Sequence, residues 1–242
     1  MRKALQIGFV VFTIGLFLAF FFLNLYSLPP KTPFNKWYGN WPAVVIVTVL
    51  FLFFIFFLTR PRRPKEWRGA SLTSAFFISL FTEMFGIPLT IYLLAPLLGV
   101  EPRMFGMHES HLWAYLLSRT GAMALQSGVY LVMVASTALL VLGFSFLALG
   151  WKEVYRGKGE LVTTGLYARA RHPQYLGLIL IVIAFLIQWP TLLTLLLAPF
   201  LIARYILLAK EEDRELEEKF GEDFRNYKEQ VPGFCPRVAI RT

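Results

Sequence analysis

The segment GLYARARHPQYLG, residues 165–177, carries several side chains that can bind a charged ligand or move a proton. Arg171 and His172 supply N–H donors, and a neutral histidine can also accept a proton. Tyr167 and Tyr175 supply aromatic faces, which attract cations by about 0.5–2 kcal/mol. A structural interpretation also exists, because arginines anchor membrane proteins on the cytoplasmic side and tyrosines collect at the membrane interface.

The chain around this segment has the composition of an integral membrane protein. Of its 242 residues, 57% are hydrophobic, above the roughly 45–50% that is typical of soluble domains. Apolar runs near the length of about 20 residues that crosses a bilayer lie at 6–28, 42–58, 72–98 and 129–150. A further tract, 176–209, is too long for one span, and Pro190 interrupts it. The sequence therefore predicts an all-α, polytopic bundle of about six spans that ends in a helical hairpin.

The positive charge of the chain is concentrated at one side of the predicted membrane. The net charge is +9, and lysines and arginines crowd the segments 60–68 and 152–171. By the positive-inside rule, both termini and both basic loops face the cytoplasm. This distribution accounts for the charge without a nucleic-acid partner. The run at 6–28 is predicted to be a retained anchor, because no small-residue cleavage site follows it. The single cysteine, Cys235, excludes an intramolecular disulfide.

The C-terminal segment is predicted to form an amphipathic cytoplasmic helix over about 208–228. Leu216, Phe220, Phe224 and Tyr227 fall on one face of it, and the other faces are charged. Pro232 is expected to end the helix. The chain is then one membrane domain, 1–242, in two functional parts. Spans within 1–128 are expected to shape a lipidic pocket, and 151–237 comprises the polar loop, the hairpin and the tail.

Three features of the C-terminal third resemble a known superfamily. RHPQYLG, the apolar hairpin after it, and the tail pattern of acidic residues followed by an F-G pair resemble the isoprenylcysteine carboxyl methyltransferases and phospholipid methyltransferases over 152–237. The resemblance implies an integral membrane enzyme that uses S-adenosylmethionine and methylates a lipidic or membrane-partitioned acceptor among the membrane lipids. The cofactor-binding residues that it implies are Gly159, Glu160, Leu161, Val162, Tyr167, His172, Pro173, Gln174, Tyr175 and Glu212.

The chemistry implied by the resemblance depends mainly on positioning and electrostatics, which can contribute about 7–11 kcal/mol. Arg171 and Glu212 are the predicted catalytic residues. A carboxylate acceptor needs no general base, whereas an amine or thiol acceptor needs one. His172 is the nearest base for that case, although the resemblance also assigns it to the cofactor. The sequence leaves the acceptor open.

Two further residues are candidates for binding the substrate. The isoprenylcysteine enzymes have an arginine one helical turn before the cofactor glutamate, where this chain has Leu208, so Arg204 is the candidate replacement. Glu83 lies inside the apolar run at 72–98, where a carboxylate is costly and is a functional candidate by default. The alternative is a neutral, buried glutamate that bonds a neighbouring helix.

Other interpretations remain open. His108, Glu109 and His111 form HESH, which lacks the H-E-x-x-H spacing of zinc proteases and lies across the predicted membrane from the polar loop. We expect an interfacial segment there and no metal. A sterol-reductase-like enzyme with NADPH would have a similar hairpin and tail, but it needs more phosphate-binding cations. A transporter or scaffold would be expected to show repeated halves with broken helices.

Overall fold

The computed structural model describes residues 39–59, 64–98, 112–157 and 159–234. Eight α-helices occur in these ranges: α1 (Trp41–Thr59), α2 (Pro64–Phe81), α3 (Leu89–Leu98), α4 (Leu112–Arg119), α5 (Leu125–Arg156), α6 (Pro173–Gln188), α7 (Leu192–Phe220) and α8 (Glu222–Gln230). No strand occurs within them, so the predicted all-α class is confirmed. The predicted span at 6–28, the HESH motif and Cys235 lie outside the described residues.

Two helices, α5 and α7, are long and apolar enough to cross a membrane, and α1 and α6 are shorter apolar helices. The span predicted over 72–98 is broken rather than continuous. A π-helical turn, Thr82–Gly86, ends α2, and α3 leaves it at an angle of 70°. Pro88 explains the break, because a proline disfavours helix at the preceding residue. Counted as one bent span, this pair is a third candidate crossing.

The predicted hairpin is confirmed, but the predicted tail helix is wrong in its boundaries. Thr191 caps α7 in a reciprocal capping box with Thr194 after the tight turn that ends α6. From there α7 continues without a break to Phe220, so the apolar span and the charged tail form one helix. The chain turns at Gly221, whose φ of 55° favours glycine, and α8 follows. The helix ends at Gln230, before Pro232.

Close packing between α5 and α6 holds the loop that joins them. A Cβ at Gly177 would lie 2.6 Å from the Gly143 carbonyl oxygen, and a Cβ at Gly143 would lie 2.8 Å from the Gly177 oxygen. Only glycine permits two helix backbones to approach this closely. On the other side of the hairpin, α7 packs on α2, where Thr73 Oγ1 lies 2.8 Å from the Tyr205 hydroxyl in a buried hydrogen bond.

Candidate functional site

The candidate site begins where the polar loop enters α6. His172 is the N-cap residue of α6, and Pro173 is its first residue, a position that suits proline because its missing N–H needs no partner. The backbone N–H groups of Arg171 and His172 donate to the carbonyls of Pro232 and Gly233, each at 2.9 Å. The segment after α8 therefore holds this part of the loop against the start of α6.

A buried cluster of polar and charged side chains lies where the loop meets the start of α6. Asp213, on α7, is 9% exposed; its Oδ1 lies 2.8 Å from His172 Nε2, and its Oδ2 lies 2.9 Å from the Arg171 guanidinium. Arg171 also donates to the Lys228 carbonyl at 2.9 Å. Its Nε is buried and has no hydrogen-bond partner in the part of the chain that the structure describes. The cluster thus connects the loop with α7 and α8.

Glu212 lies beside the other nitrogen of His172. Its Oε2 is 3.7 Å from His172 Nδ1, and 48% of its side chain is exposed. The pKa of the nearby Tyr167 phenol is raised above its usual range, first by burial and then by the charge of Glu212. A half-exposed carboxylate next to a tyrosine and a histidine is suited to a ligand that carries a positive charge.

The protonation of His172 depends on these two carboxylates. Burial works to lower the pKa of His172, but the hydrogen bonds and charges of Asp213 and Glu212 outweigh burial and raise the pKa above its ordinary value of 6.5. The ring is also flanked by Tyr175 and Phe234, with ring centroids at 6.0 and 5.7 Å. The surroundings of His172 therefore favour its protonated, hydrogen-bonded form.

Tyrosines and a glutamine fix the wall of the site. Gln174 Nε2 donates to the Tyr167 hydroxyl at 3.1 Å, and the Tyr227 hydroxyl donates to the Tyr167 carbonyl at 2.6 Å. Burial raises the pKa of Tyr227 to about 12, so its hydroxyl remains a donor at neutral pH. Tyr175 lies between His172 and Tyr205, with its ring 6.5 Å from the Tyr205 ring. The wall joins the loop, α6 and α8.

Glu153, at the end of α5, holds the middle of the loop. Both of its carboxylate oxygens accept from the backbone N–H of Leu166, each at 3.1 Å, within the 3₁₀ turn Gly165–Ala168. Gly165 has a φ of +62°, and a Cβ there would overlap the Glu153 carboxylate. The loop can take this course only because position 165 is glycine.

The first part of the predicted cofactor segment lies apart from His172. The Gly159 carbonyl accepts from Lys219 Nζ at 2.7 Å, and Glu160 is exposed. Leu161 packs against the small apolar cluster formed by Phe224, Tyr227 and Val231. Lys219 is about 10 Å, two helical turns, beyond Glu212 on α7. The structure thus groups Tyr167, His172, Gln174, Tyr175 and Glu212, with Pro173 at their base, and places the segment 159–162 along the same side of α7.

The two predicted substrate residues lie in different places. Arg204 lines a groove of about 700 Å³ between α2 and α7; the other lining residues are Ser71, Leu72, Ala75, Phe200, Ala203 and Leu207. Its guanidinium lies 3.6 Å from Glu211 Oε1. Leu208 is buried, and its Cδ1 would lie 3.0 Å from a Cβ at Gly69. Position 208 therefore packs against α2, while Arg204 faces the groove.

Glu83 lies at the far end of the hairpin and does not approach the site. It is 3% exposed, and its Oε2 accepts from the Thr90 backbone N–H at 2.8 Å. It lines a cavity of about 20 Å³ with Thr191, from the turn that follows α6. The sixteen residues of α6 separate this end from His172 by about 24 Å.

Three residues of the site were absent from the sequence prediction: Asp213, Glu153 and Tyr227. Asp213 had a signal, because it directly follows Glu212 in an acidic run that also resembles the superfamily pattern. Glu153 and Tyr227 had none that distinguishes them from the other charged and aromatic residues of their helices. Their roles follow from contacts with Leu166 and Tyr167, which the fold brings to them.

An all-helical membrane bundle with a polar, charge-paired site at one end of a helical hairpin has the features of an integral membrane enzyme. Residues 119–223 match the family model of phospholipid methyltransferases. That family is part of the superfamily of membrane methyltransferases that also includes the isoprenylcysteine carboxyl methyltransferases. The matched range contains Arg171, His172, Glu212 and Asp213. None of the curated proteins matches the chain.

The match favours one of the classes that the sequence left open. It suggests a membrane methyltransferase. Together with the apolar helices, it indicates an integral membrane protein. The predicted resemblance is confirmed over 152–223 of its range 152–237, and the matched range begins earlier, at the end of α4.

Proposed function

We propose that the protein is an S-adenosylmethionine-dependent methyltransferase that acts on a lipidic or membrane-partitioned acceptor. The observation that carries this proposal is the convergence of Tyr167, His172 and Glu212 at the start of α6, inside the range that matches phospholipid methyltransferases. Residues that are distant in the sequence form one polar site there, whereas the surrounding helices are apolar.

The chemistry of the site fits this cofactor. S-Adenosylmethionine would supply an activated methyl group on a sulfonium, together with an ammonium group, a carboxylate and an adenosine. Glu212 is a half-exposed carboxylate for a cationic group, and Tyr167 and Tyr175 are aromatic neighbours. The buried Nε of Arg171, which has no hydrogen-bond partner among the residues described, is a donor for an anionic group.

In this proposal the protein acts by binding and orienting. Arg171 and Glu212 are the residues whose loss damages activity most, because they are the cationic and anionic ends of the site. Pro173 and Gln174 fix the start of α6 and the Tyr167 hydroxyl. The segment Gly159, Glu160, Leu161 and Val162 would extend the binding surface along α7, where Lys219 already holds the Gly159 carbonyl.

The groove between α2 and α7 is the proposed site for the apolar part of the acceptor. It is lined mainly by apolar side chains, and Arg204 is its cationic residue among those described. Tyr205 and Tyr175 lie between this side of α7 and His172. Arg204 would bind an anionic head group, as expected of an isoprenylcysteine-like acceptor, in place of the arginine that this chain lacks at Leu208. Glu83 has no part in this arrangement.

The proposed orientation in the membrane follows from the charge distribution. The chain would cross about six times, with both termini and the cofactor loop in the cytoplasm. The charged extension of α7 beyond Lys210 and the amphipathic helix α8 would then lie at the cytoplasmic surface beside the loop.

Calorimetry on the detergent-solubilised protein tests the cofactor. We expect S-adenosylmethionine and S-adenosylhomocysteine to bind, and Glu212→Gln to weaken binding by about 10- to 100-fold, since a hydrogen bond to a charged group contributes about 1.5–3 kcal/mol. Glu218→Gln is the matched control, because it removes an exposed carboxylate further along α7. Binding of NADPH alone would instead support the reductase, and no binding of any of the three would refute the proposal.

A bulky residue in the groove tests the acceptor site. Ala203 is exposed and lines the groove, so Ala203→Trp should strongly reduce methylation of lipid acceptors and leave S-adenosylhomocysteine binding unchanged. Leu193→Trp is the control, because Leu193 is an exposed residue of α7 outside the groove. Equal activity of both variants would show that the acceptor binds elsewhere.

A further inference from the structure

Asp213 makes one short contact with each of two neighbouring residues of the loop, Arg171 and His172. Its Oδ1 lies 2.8 Å from His172 Nε2, and its Oδ2 lies 2.9 Å from the terminal nitrogen of Arg171. The Asp213 side chain is only 12% exposed. Since each oxygen is occupied by a different donor, a small rotation of the carboxylate would weaken both contacts.

Arg171 and His172 are held from the opposite side by backbone. Their N–H groups donate to the Pro232 and Gly233 carbonyls, and the Arg171 guanidinium donates to the Lys228 carbonyl. Arg171 and His172 are therefore held between Asp213 on one side and, on the other, the end of α8 and the residues after it. The side chains at positions 171 and 172 have little freedom to turn.

Both nitrogens of the His172 ring face carboxylates. Nε2 meets Asp213, and Nδ1 lies 3.7 Å from Glu212 Oε2. A carboxylate accepts hydrogen bonds and does not donate them, so a ring between two carboxylates is favoured in the form that carries two N–H groups. Such a ring has no lone pair with which to take a proton.

We propose that Asp213 is a positioning residue that orients Arg171 and holds His172 in its doubly protonated form, so that His172 serves beside Glu212 as an orienting cation and does not act as a base. The inference rests on the proposed function for its role in methyl transfer. The state of His172 itself can be measured without cofactor or acceptor. The raised pKa of His172, which results from Asp213 and Glu212 outweighing burial, agrees with the geometry.

The first experiment observes the imidazole directly. The chain has three histidines, so His108→Gln with His111→Gln leaves His172 alone, and ¹⁵N-histidine labelling then reports its protonation by NMR in detergent. We expect both ring nitrogens to carry protons at pH values above the ordinary histidine pKa of 6.5. A neutral His172 at that pH would overturn the inference, and this measurement does not depend on whether any Asp213 variant folds.

The second experiment assigns the effect to Asp213. Asp213→Asn should lower the midpoint of the His172 titration, because burial is then opposed by Glu212 alone, and Asp213→Glu should restore part of the shift. Glu217→Gln is the control, since Glu217 pairs with Arg225 and Lys228. An unchanged midpoint in Asp213→Asn would refute the role of Asp213.

Binding of S-adenosylhomocysteine, measured on the same samples, separates this inference from the proposed function. If the wild-type protein binds S-adenosylhomocysteine, Asp213→Asn should weaken that binding more than Glu217→Gln does. If the wild type does not bind it while the His172 titration behaves as expected, the proposed function fails and the protonation state stands. If it binds while His172 is neutral, the proposed function stands and this inference fails.

Discussion

Asp213 and Glu83 are both buried carboxylates, but they lie at opposite ends of the hairpin formed by α6 and α7 and have different partners. Asp213 is neutralised by His172 and Arg171. Glu83 accepts one backbone hydrogen bond, from Thr90, and its Oε1 is buried without a hydrogen-bond partner among the residues described. One carboxylate is thus part of a network of charges, and the other is a local cap.

The surroundings of Glu83 explain its structural role. Thr90 belongs to the first turn of α3, whose N–H groups have no partners within the helix, and Glu83 supplies one. The Thr90 hydroxyl in turn accepts from the Leu192 N–H at 2.8 Å, at the start of α7. This pair of bonds connects the bent helix to the turn of the hairpin. The adjoining cavity of about 20 Å³ has room for about one water molecule, not for a lipid head group.

The two ends of the hairpin differ in the groups that fix their geometry. The far end is fixed by backbone groups of regular helices, so its geometry needs few charges. The end near His172 has to hold an irregular loop, and an ion pair from the loop to α7 and a hydrogen bond from the loop to α8 do so. Among the charged groups at this end, Glu212 is available to a ligand, because its side chain is half-exposed.

The largest effect is expected from breaking the charged network. Arg171→Met leaves Asp213 with only His172 and removes the donor to the Lys228 carbonyl, which should lower the free energy of unfolding by about 3–5 kcal/mol. Unfolding by SDS in mixed micelles measures it. Arg214→Met is the control, because the Arg214–Glu218 pair is exposed and should contribute less than about 1 kcal/mol. If both variants lost a similar free energy of unfolding, the buried Arg171–Asp213 pair would contribute no more to stability than an exposed pair.

A smaller effect is expected at the far end from Thr90→Val. The substitution preserves the shape of the side chain but removes the acceptor for the Leu192 N–H, and an unsatisfied buried donor costs about 1–3 kcal/mol. The same SDS unfolding measures the loss, and S-adenosylhomocysteine binding should not change. Weaker binding in Thr90→Val would mean that the two ends are coupled, contrary to the comparison.

Glu83→Leu should cost about 1 kcal/mol, the usual effect of losing a helix cap. Glu83→Gln should cost less, because its amide oxygen can still accept from the Thr90 N–H. Methylation of lipid acceptors, measured beside stability, distinguishes this role from substrate binding. If Glu83→Gln lost activity while remaining as stable as the wild type, the capping role would be insufficient and Glu83 would contact the substrate.

The smallest effect is expected from pH. Since the pKa of His172 is raised in the folded protein, its charge stabilises the fold fully below the unfolded value of 6.5, and this contribution is lost as the pH rises through the raised pKa. Unfolding measured at a series of pH values above 6.5 should therefore show a stability contribution of His172 that decreases as the pH rises, and His172→Gln should reduce that slope. A wild-type stability that rose over this range would contradict the assignment.

Much of the helical architecture could be predicted from residue patterns. The apolar runs at 42–58 and 129–150 correspond to α1 and α5, and Pro190 marks the hairpin turn. The break after Glu83 was less evident: Pro88 is visible in the sequence, but the angle of 70° depends on the packing of α2 and α3. The continuity of α7 through Leu208 was missed, because the change from apolar to charged residues marks a change of solvent and not the end of a helix.

Composition and local pattern by themselves determined that this is a helical membrane protein with a polar loop before a hairpin, because burial in lipid and the helical repeat act on neighbouring residues. The superfamily motifs added the expected role of His172 and Glu212. Only the tertiary structure decided that Asp213, 41 residues after His172, joins Arg171 to His172, that Arg204 lines a groove, and that Glu83 lies at the other end. Those placements depend on which helix faces pack together. For α5 and α6, the close contact of Gly143 with Gly177 fixes which faces meet, and these two residues are far apart in the sequence.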